Sequence, residues 1–302
     1  MKPVIFSGTS NLPLAESISS LVKIPLGKVE IIRFADSECR VRILENVEEK
    51  DVFIFQTLAD PVDEHMMEFL LLADAVKRGD PRKITAVISY HGYARQDRIH
   101  RPGESLSAHV VAKLIESVHI DRIITVELHN EAIIGFFEIP VVHVGGFLPF
   151  KPLVEEISGE KVVVTPDAGA LKRSQKFAEM IDSPLALIEK KRDLDHPHKI
   201  LSMRVVGDIK DKTAFIFDDV IVTGGTLVNA TYLLKEKGAK RVIACATHAD
   251  FVGGSPKILQ ESPIDSIWVT DSIFIPEEKR FAKLTIVSIA PFIVSAMQKM
   301  IK

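Results

Sequence analysis

The chain has 302 residues, enough for two domains of ordinary size, each with its own hydrophobic core. Its 38 Lys and Arg against 41 Asp and Glu leave a formal charge of −3, which gives no net pull toward nucleic acid or an anionic membrane, and no apolar run is long enough to span a bilayer. Cys39 and Cys245 are too few for a disulfide framework or a metal cluster and point to a reducing cytoplasm, and Met1-Lys2-Pro3-Val4-Ile5-Phe6 enters a strand with no signal-peptide pattern.

In chain order, Val4-Ile5-Phe6 reads as a buried strand, and Ser7-Gly8-Thr9-Ser10-Asn11 as a polar loop equally suited to accepting an anion or to a plain strand-to-helix turn. Residues 14–22 have helical spacing and 29–32 strand composition. Arg33-Phe34-Ala35-Asp36-Ser37-Glu38 leads into the alternating Cys39-Arg40-Val41-Arg42-Ile43, a hairpin with one wet face whose tip, on its residues alone, reads as a surface turn. A strand over 51–56 and a helix over 65–77, stopped by Gly79, come next. The strand at 84–89 ends in Tyr90-His91-Gly92-Tyr93-Ala94-Arg95-Gln96-Asp97-Arg98; polar groups at the carboxyl end of a buried strand are where ligands sit in open α/β sheets. Residues 99–104 have loop composition, and the helix over 106–118 is expected to be capped by Ser105 or Ser107. A strand over 122–129 ends at His129, a residue type that by itself favours a structural role. Gly145-Gly146 marks the boundary between domains 1–145 and 146–302.

The second half repeats this grammar. A strand at 161–164 closes on Thr165-Pro166-Asp167-Ala168-Gly169-Ala170-Leu171-Lys172-Arg173, with a helix to 181, and a strand at 185–188 runs into the basic turn Glu189-Lys190-Lys191-Arg192-Asp193. In Phe215-Ile216-Phe217-Asp218-Asp219-Val220-Ile221-Val222-Thr223-Gly224-Gly225-Thr226, an apolar strand ends in two carboxylates and a short turn delivers Thr-Gly-Gly-Thr to a helical pattern. Unpaired N–H groups at the positive end of a helix favour a phosphate, and glycines let the backbone approach it. The hydroxyls of Thr223 and Thr226 add donors, and the paired aspartates suit the vicinal hydroxyls of a sugar. A plain strand-to-helix connection with Thr226 as N-cap would account for a lone Gly-Gly, but the acidic pair and Thr-Gly-Gly-Thr together read as a ribose 5-phosphate cradle. A helix over 227–237 stopped by Gly238, a strand over 241–247 ending at His248, late strands at 267–270 and 284–289, and a surface helix over 293–302 complete the chain. The last helix, 290–302, is counted with the second domain, with packing against the first as an option.

The halves also align with each other. Thr85-Ala86-Val87-Ile88-Ser89 matches Thr213-Ala214-Phe215-Ile216-Phe217, and the stretch from Asp121 to His129 matches that from Lys240 to His248. The ordered matches imply an α/β protein of two similar domains, each a mainly parallel sheet with helices on both faces. Tyr90-His91 occupies in the first half the place of Asp218-Asp219 in the second, so only the second half is suited to the ribose phosphate.

Taken together, Phe6-Ser7-Gly8, Phe34-Ala35-Asp36-Ser37-Glu38, Tyr93-Ala94-Arg95-Gln96-Asp97, Leu128-His129, Gly135-Phe136-Phe137, Pro166-Asp167-Ala168-Gly169, Lys190-Lys191-Arg192 and Asp218-Asp219 run in an order that resembles the ribose-phosphate pyrophosphokinase family over nearly the whole chain. Its domains are similar to type I phosphoribosyltransferases, one-domain enzymes that lack the Ala-Arg-Gln-Asp and Lys-x-Arg elements. The resemblance implies a transferase of nucleotide biosynthesis that moves the β,γ-pyrophosphate of ATP onto the 1-hydroxyl of ribose 5-phosphate and releases AMP. By the same resemblance Thr223, Gly224, Gly225 and Thr226 hold the 5-phosphate, Asp218 and Asp219 the ribose hydroxyls, and Asp167, Ala168, Gly169 and Ala170 form the pyrophosphate loop. His129 and Asp167 are implied to bind Mg2+, and Arg95, Gln96 and Asp97 to line the ATP site. Phe34, Asp36 and Glu38 resemble a hairpin that grips adenine in a neighbouring subunit, which implies a homo-oligomer with a shared ATP site, while Lys190 and Arg192 are the implied catalytic cations on a loop closing over ATP.

Two residues depart from the family pattern: Val222 stands where Asp or Ser is common, and Glu127 where Asp is common. Readings of other classes are a non-catalytic regulatory homologue, opposed by intact Lys190, Arg192, His129 and Asp167, and an RNA-binding regulator, opposed by the near-neutral charge.

Overall fold

The structure, a computed structural model, describes residues 2–192 and 200–301, with side chains except at Ala168, 190–192 and 200–203. The chain divides into two compact units, Met1–Gly145 with Ser272–Phe274 and Ser288–Lys302, and Gly146–Asp271 with Ile275–Val287.

The first unit runs β1 (Val4–Ser7), α1 (Leu12–Val22), β2 (Val29–Arg33), β3 (Cys39–Ile43), β4 (Asp51–Gln56), α2 (Val62–Lys77), β5 (Lys83–Ile88), α3 (Ser107–Ser117), β6 (Arg122–Val126) and β7 (Val141–Val144). Its main sheet has the order β1-β4-β5-β6-β7, and every pairing in it is parallel. Strand alternation sends Val4, Phe6, Val52 and Ile54 into a core with Phe69, Leu72 and Val76 of α2 and Val111 and Ile115 of α3. Ile5, Phe53 and Phe55 face the other way, toward Leu14 and Ile18 of α1. Burial on both faces is why these strands read as unbroken apolar runs.

The C-terminal helix, Ala290–Gln298, joins that second core through Ala290, Ile293, Val294 and Met297 and packs on α1. The surface helix expected over 293–302 is therefore a core helix. Its apolar stripe begins at Ala290, ahead of the window in which the mixed residues near the terminus dominate.

Two boundaries differ from expectation, and the expected hairpin is present. Helix α3 has Leu106 at its N-cap and no side-chain cap, because Ser107 donates its hydroxyl to Gln96 Oε1 and Ser105 pairs with Ser107 at 2.8 Å. Strand β6 stops at Val126 because Glu127 has φ +28°, so His129 sits in a loop rather than at a strand end. The hairpin β2–β3 forms its own antiparallel ribbon and packs on α2.

The second unit runs α4 (Lys151–Glu155), β8 (Lys161–Thr165), α5 (Leu171–Met180), β9 (Leu185–Arg192), β10 (Ile200–Val206), β11 (Thr213–Ile221), α6 (Gly225–Glu236), β12 (Arg241–Ala249), α7 (Ser255–Glu261), β13 (Ser266–Thr270) and β14 (Leu284–Val287). The sheet order is β10-β9-β8-β11-β12-β13-β14, parallel apart from the antiparallel β10–β9 pair. One face packs Val162, Val164, Ala214 and Ile216 against Leu227, Ala230 and Leu234 of α6, and the other packs Val163, Phe215 and Phe217 against Phe177 of α5.

The internal repeat extends to strand register. β5 pairs with β6 through Thr85 opposite Arg122, and β11 pairs with β12 through Thr213 opposite Arg241, the residues the alignment superimposes. Strand β11 does not end at the acidic pair. It carries Asp218 and Asp219 within it and closes at Ile221.

Candidate active site

In the second unit the chain leaves β11 at Ile221 and starts α6 at Gly225, with Gly224 as N-cap at φ +77°. A Cβ on Gly224 would also lie 2.7 Å from Leu259 Cδ2, so backbone conformation and space both demand glycine. No side chain caps α6, although Thr226 was a candidate; it lies in the first turn instead. Thr223, Gly225 and Thr226 are exposed. The first N–H groups of a helix have no partner within it, so this uncapped start is a ready anion seat. Val222 accepts Val252 N–H on its carbonyl at 3.1 Å and offers no side-chain donor.

The twin carboxylates have a counter-charge. Arg173 Nη1 lies 3.1 Å from Asp218 Oδ1 and 2.9 Å from Asp219 Oδ1, with side chains 11%, 25% and 6% exposed respectively. Asp218 Oδ1 also accepts the Asp219 N–H at 2.9 Å. Burial, reinforced by the neighbouring Asp219 charge and opposed by Arg173, pushes Asp218 up to about 7. In the sequence Arg173 stands out only as the end of the stretch from Thr165. A signal was present: a pair of adjacent carboxylates needs a cation, and Arg173 stands in the first turn of α5, just past the Asp167 loop.

That loop is self-stapled. Thr165 donates its hydroxyl to the Asp167 carbonyl at 2.8 Å, and Ala170 N–H donates to Asp167 Oδ1 at 3.1 Å across the 3-10 turn Ala168–Ala170. Gly169 is exposed, and a Cβ there would approach Asp167 Oδ1 at 3.3 Å. Arg173, Asp218 and Asp219 thus form one charge cluster, and the stapled Asp167 loop leads directly into the helix that carries Arg173.

Lys190 and Arg192, expected on a loop, have strand backbone. β9 continues through them because β10 pairs with it, Met203 opposite Lys190 and Ile200 opposite Arg192. Their side chains lie outside the described residues, as does Asp193, the last residue of the expected basic turn.

In the first unit, Phe34, Asp36 and Glu38 share the tip of the β2–β3 hairpin. Phe34 N–H donates to Glu38 O at 2.8 Å, Glu38 N–H to Asp36 Oδ1 at 3.1 Å, and Ser37 turns at φ +70°. Phe34 is 46% exposed, with the Arg40 guanidinium 5.9 Å from its ring centroid. Arg33, at the foot of the tip, pairs with Glu64 at 3.3 Å and the buried Glu68 at 3.5 Å, fastening the hairpin to α2.

Glu68 also resolves the Ser7–Asn11 loop. Thr9 gives it an N–H at 2.6 Å and a hydroxyl at 2.9 Å, and Gln56 Nε2 adds a bond at 2.9 Å. The loop does accept an anion, and that anion is an internal carboxylate.

Arg95 and Gln96 are exposed in the turn after β5, with Asp97 half-buried. Asn130 Nδ2 donates to Asp97 Oδ2 at 2.6 Å. His129 is exposed, and its loop is held by Leu128 N–H donating to His143 Nε2 at 3.0 Å. His91, beside this turn, is buried edge-on to Phe137, with Nδ1 2.9 Å from Gly92 O. Burial pushes its pKa down, and its Nε2 has no hydrogen-bond partner among the described residues.

A family model described as the N-terminal domain of ribose phosphate pyrophosphokinase matches residues 3–118, and one described as the phosphoribosyl synthetase-associated domain matches residues 194–302. The ribose-phosphate pyrophosphokinase of Fusobacterium nucleatum is 39% identical over 299 residues, covering 98% of this chain and 94% of the relative. That of Aquifex aeolicus is 42% identical over 297 residues, again covering 98% and 94%. The crystal structure of phosphoribosylpyrophosphate synthetase from Mycobacterium smegmatis superposes with a TM-score of 0.93 at 37% identity, covering 99% of each chain.

Proposed function

The chain belongs to the ribose-phosphate pyrophosphokinase family, and from that premise we propose which residues hold each substrate of the reaction. The protein transfers the β,γ-pyrophosphate of ATP to the 1-hydroxyl of ribose 5-phosphate, giving 5-phosphoribosyl 1-pyrophosphate and AMP. The relatives supply no support for a non-catalytic regulatory homologue.

The observation that carries the assignment is the uncapped start of α6 beside a twin carboxylate that shares one arginine. The 5-phosphate takes the N–H groups at the start of α6, with the Thr223 and Thr226 hydroxyls. Asp218 and Asp219 accept hydrogen bonds from the ribose hydroxyls. Asp167, Ala168, Gly169 and Ala170 receive the pyrophosphate, where exposed Gly169 lets the backbone come close.

Phosphoryl transfer of this kind asks for positioning and charge neutralisation rather than covalent help. Arg95, Gln96 and Asp97 bind ATP in the first unit. Lys190 and Arg192 supply positive charge to the transferring group as it develops in the transition state.

Taken singly, each expected metal residue can serve Mg2+: Asp167 as a direct oxygen donor, and His129 through its ring nitrogen or a water of the ion's shell. Asp167 offers a half-buried carboxylate with one oxygen already oriented by Ala170 N–H, and His129 is exposed. Mg2+ commonly uses one or two protein carboxylates and takes the rest of its shell from phosphates and water. When bound, the ion neutralises phosphate charge and orients the triphosphate.

The exposed Phe34 at the tip of a ribbon outside the main sheet suits an aromatic surface that a neighbouring subunit covers, with adenine stacked on the ring and Asp36 and Glu38 as acceptors for its amino group. We therefore read a homo-oligomer with shared ATP sites. No helix among the described residues is long and apolar enough to cross a membrane. Free Cys39 and Cys245 fit a cytoplasmic setting.

The test is AMP release from ATP and ribose 5-phosphate with Mg2+. Turnover that requires all three supports the reading, and absence of AMP with every component present overturns it.

A further inference from the structure

Asn130 follows His129 and belongs to none of the groups assigned above, yet its side chain makes two bonds that fix each other. Its Oδ1 accepts Ala132 N–H at 3.0 Å, which caps the 3-10 turn Glu131–Phe136. Its Nδ2 donates to Asp97 Oδ2 at 2.6 Å. A backbone N–H can only donate and an ionised carboxylate can only accept, so the amide has one orientation that satisfies both ends.

The partners matter. Asp97 has a side chain 9% exposed and closes the Arg95-Gln96-Asp97 turn, and the peptide of Asn130 continues directly from His129. A short bond to a charged acceptor is stronger than one between neutral groups, and this one spans 33 residues of sequence. Arg98 sits 3.7 Å from the same Asp97 oxygen with a side chain 69% exposed, so solvent screens that contact while Asn130 supplies the close donor.

We propose that Asn130 is a positioning residue for the magnesium–nucleoside triphosphate. It holds the Asp97 carboxylate and ties the turn carrying Arg95, Gln96 and Asp97 to the loop carrying His129, so that both halves of the nucleotide seat are set before ATP arrives. Pre-setting a site removes ordering cost from binding, so the effect falls on ATP affinity and leaves the ribose phosphate seat alone. The inference rests on the assignment of Arg95–Asp97 and His129 to ATP and its metal.

Two variants separate positioning from simple capping. Asn130→Asp keeps an oxygen for Ala132 N–H but sets a second carboxylate against Asp97. Asn130→Ala removes both bonds. Equilibrium binding of ATP, with Mg2+ and without ribose 5-phosphate, is measured by calorimetry on the full chain, alongside thermal melting and the KM of each substrate. Asn130→Asp is expected to weaken ATP binding about tenfold or more, because a repelled Asp97 carboxylate no longer holds the turn, while its ribose 5-phosphate KM stays within about twofold. Wild-type ATP binding in Asn130→Asp, with early melting confined to Asn130→Ala, would leave Asn130 a cap and overturn the proposal. Asp97→Ala is the control for the underlying assignment. Weakened ATP binding there with none in Asn130→Asp refutes the positioning role alone, whereas unchanged binding in Asp97→Ala removes the ATP assignment of the turn and the inference with it.

Discussion

Arg173 Nη1 sits 2.9 Å from Asp219 Oδ1 and 3.1 Å from Asp218 Oδ1, so one guanidinium nitrogen holds both carboxylates of the proposed ribose seat. The sharing explains how two adjacent acids are tolerated where Asp219 is nearly fully buried. Without the cation their repulsion would be relieved only by a proton.

Arg173→Met should therefore destabilise the second unit and raise the KM for ribose 5-phosphate more than that for ATP. Removing one partner of a buried ion pair costs roughly 3–5 kcal/mol, and the partial exposure of Asp218 places this case at or below the lower figure. The check is a double-mutant cycle by denaturant unfolding: Asp219→Asn added to Arg173→Met should recover much of the loss, and strictly additive losses would show that the arginine acts elsewhere.

The same pair carries a pH signature. Asp218 is raised from 3.8 to about 7, chiefly by burial. A carboxyl with a folded pKa above its unfolded value binds its proton more tightly when folded. Its contribution to stability is thus full below 3.8 and is lost as the pH rises through about 7. Ribose hydroxyls, by contrast, donate best to the ionised form. Ribose 5-phosphate affinity should then increase as the pH rises through about 7, and Asp218→Asn should flatten that rise. The substrate phosphate has its own second ionisation near pH ~6, but that step is common to both proteins, so the difference between their profiles isolates Asp218.

Lys190→Ala should cut turnover by about 10²–10³-fold, the scale of removing one donor from a preorganised charge-stabilising site, with little change in ribose 5-phosphate KM. AMP release under saturating substrates measures it. Equal turnover in the variant would take Lys190 out of the transition state.

What the sequence made legible is chiefly what runs locally along it. Buried strands such as Val162-Val163-Val164 announce themselves because both sheet faces are covered, and Gly224 is legible because a tight strand-to-helix turn admits little else. Contacts across the sheet were less visible. Arg173 is 45 residues from Asp218, Asn130 is 33 from Asp97, and Glu68 is 59 from the Thr9 loop it fills. Nothing in local periodicity reports such pairs; they follow only once helix and strand ends are brought to the same edge. The strand β10 does not show in the sequence, and the C-terminal helix reads there as a surface helix with packing on the first domain only an option, for a related reason: each is defined by the partner it packs on rather than by its own pattern.

The hairpin tip offers the sharpest test of the oligomer. Phe34 leaves 46% of its surface exposed, its backbone is pinned by the bond to Glu38 O, and Arg33 fastens the foot of the tip to Glu64 and Glu68. A ring anchored this firmly and about half exposed gains by stacking with a flat ligand, at roughly 1–3 kcal/mol per base. Phe34→Ala removes that surface without opening a cavity in the core, so the fold and the ribose 5-phosphate KM should hold. The KM for ATP should rise about tenfold, the equivalent of 1.4 kcal/mol. Mixing makes the shared site visible. In preparations where one subunit type carries Phe34→Ala and the other Lys190→Ala, sites that combine the intact hairpin of one chain with the intact Lys190 of the other should restore turnover at low ATP above the sum of the two variants alone. Purely additive rates after mixing would place hairpin and Lys190 in the same subunit's site and remove the case for sharing.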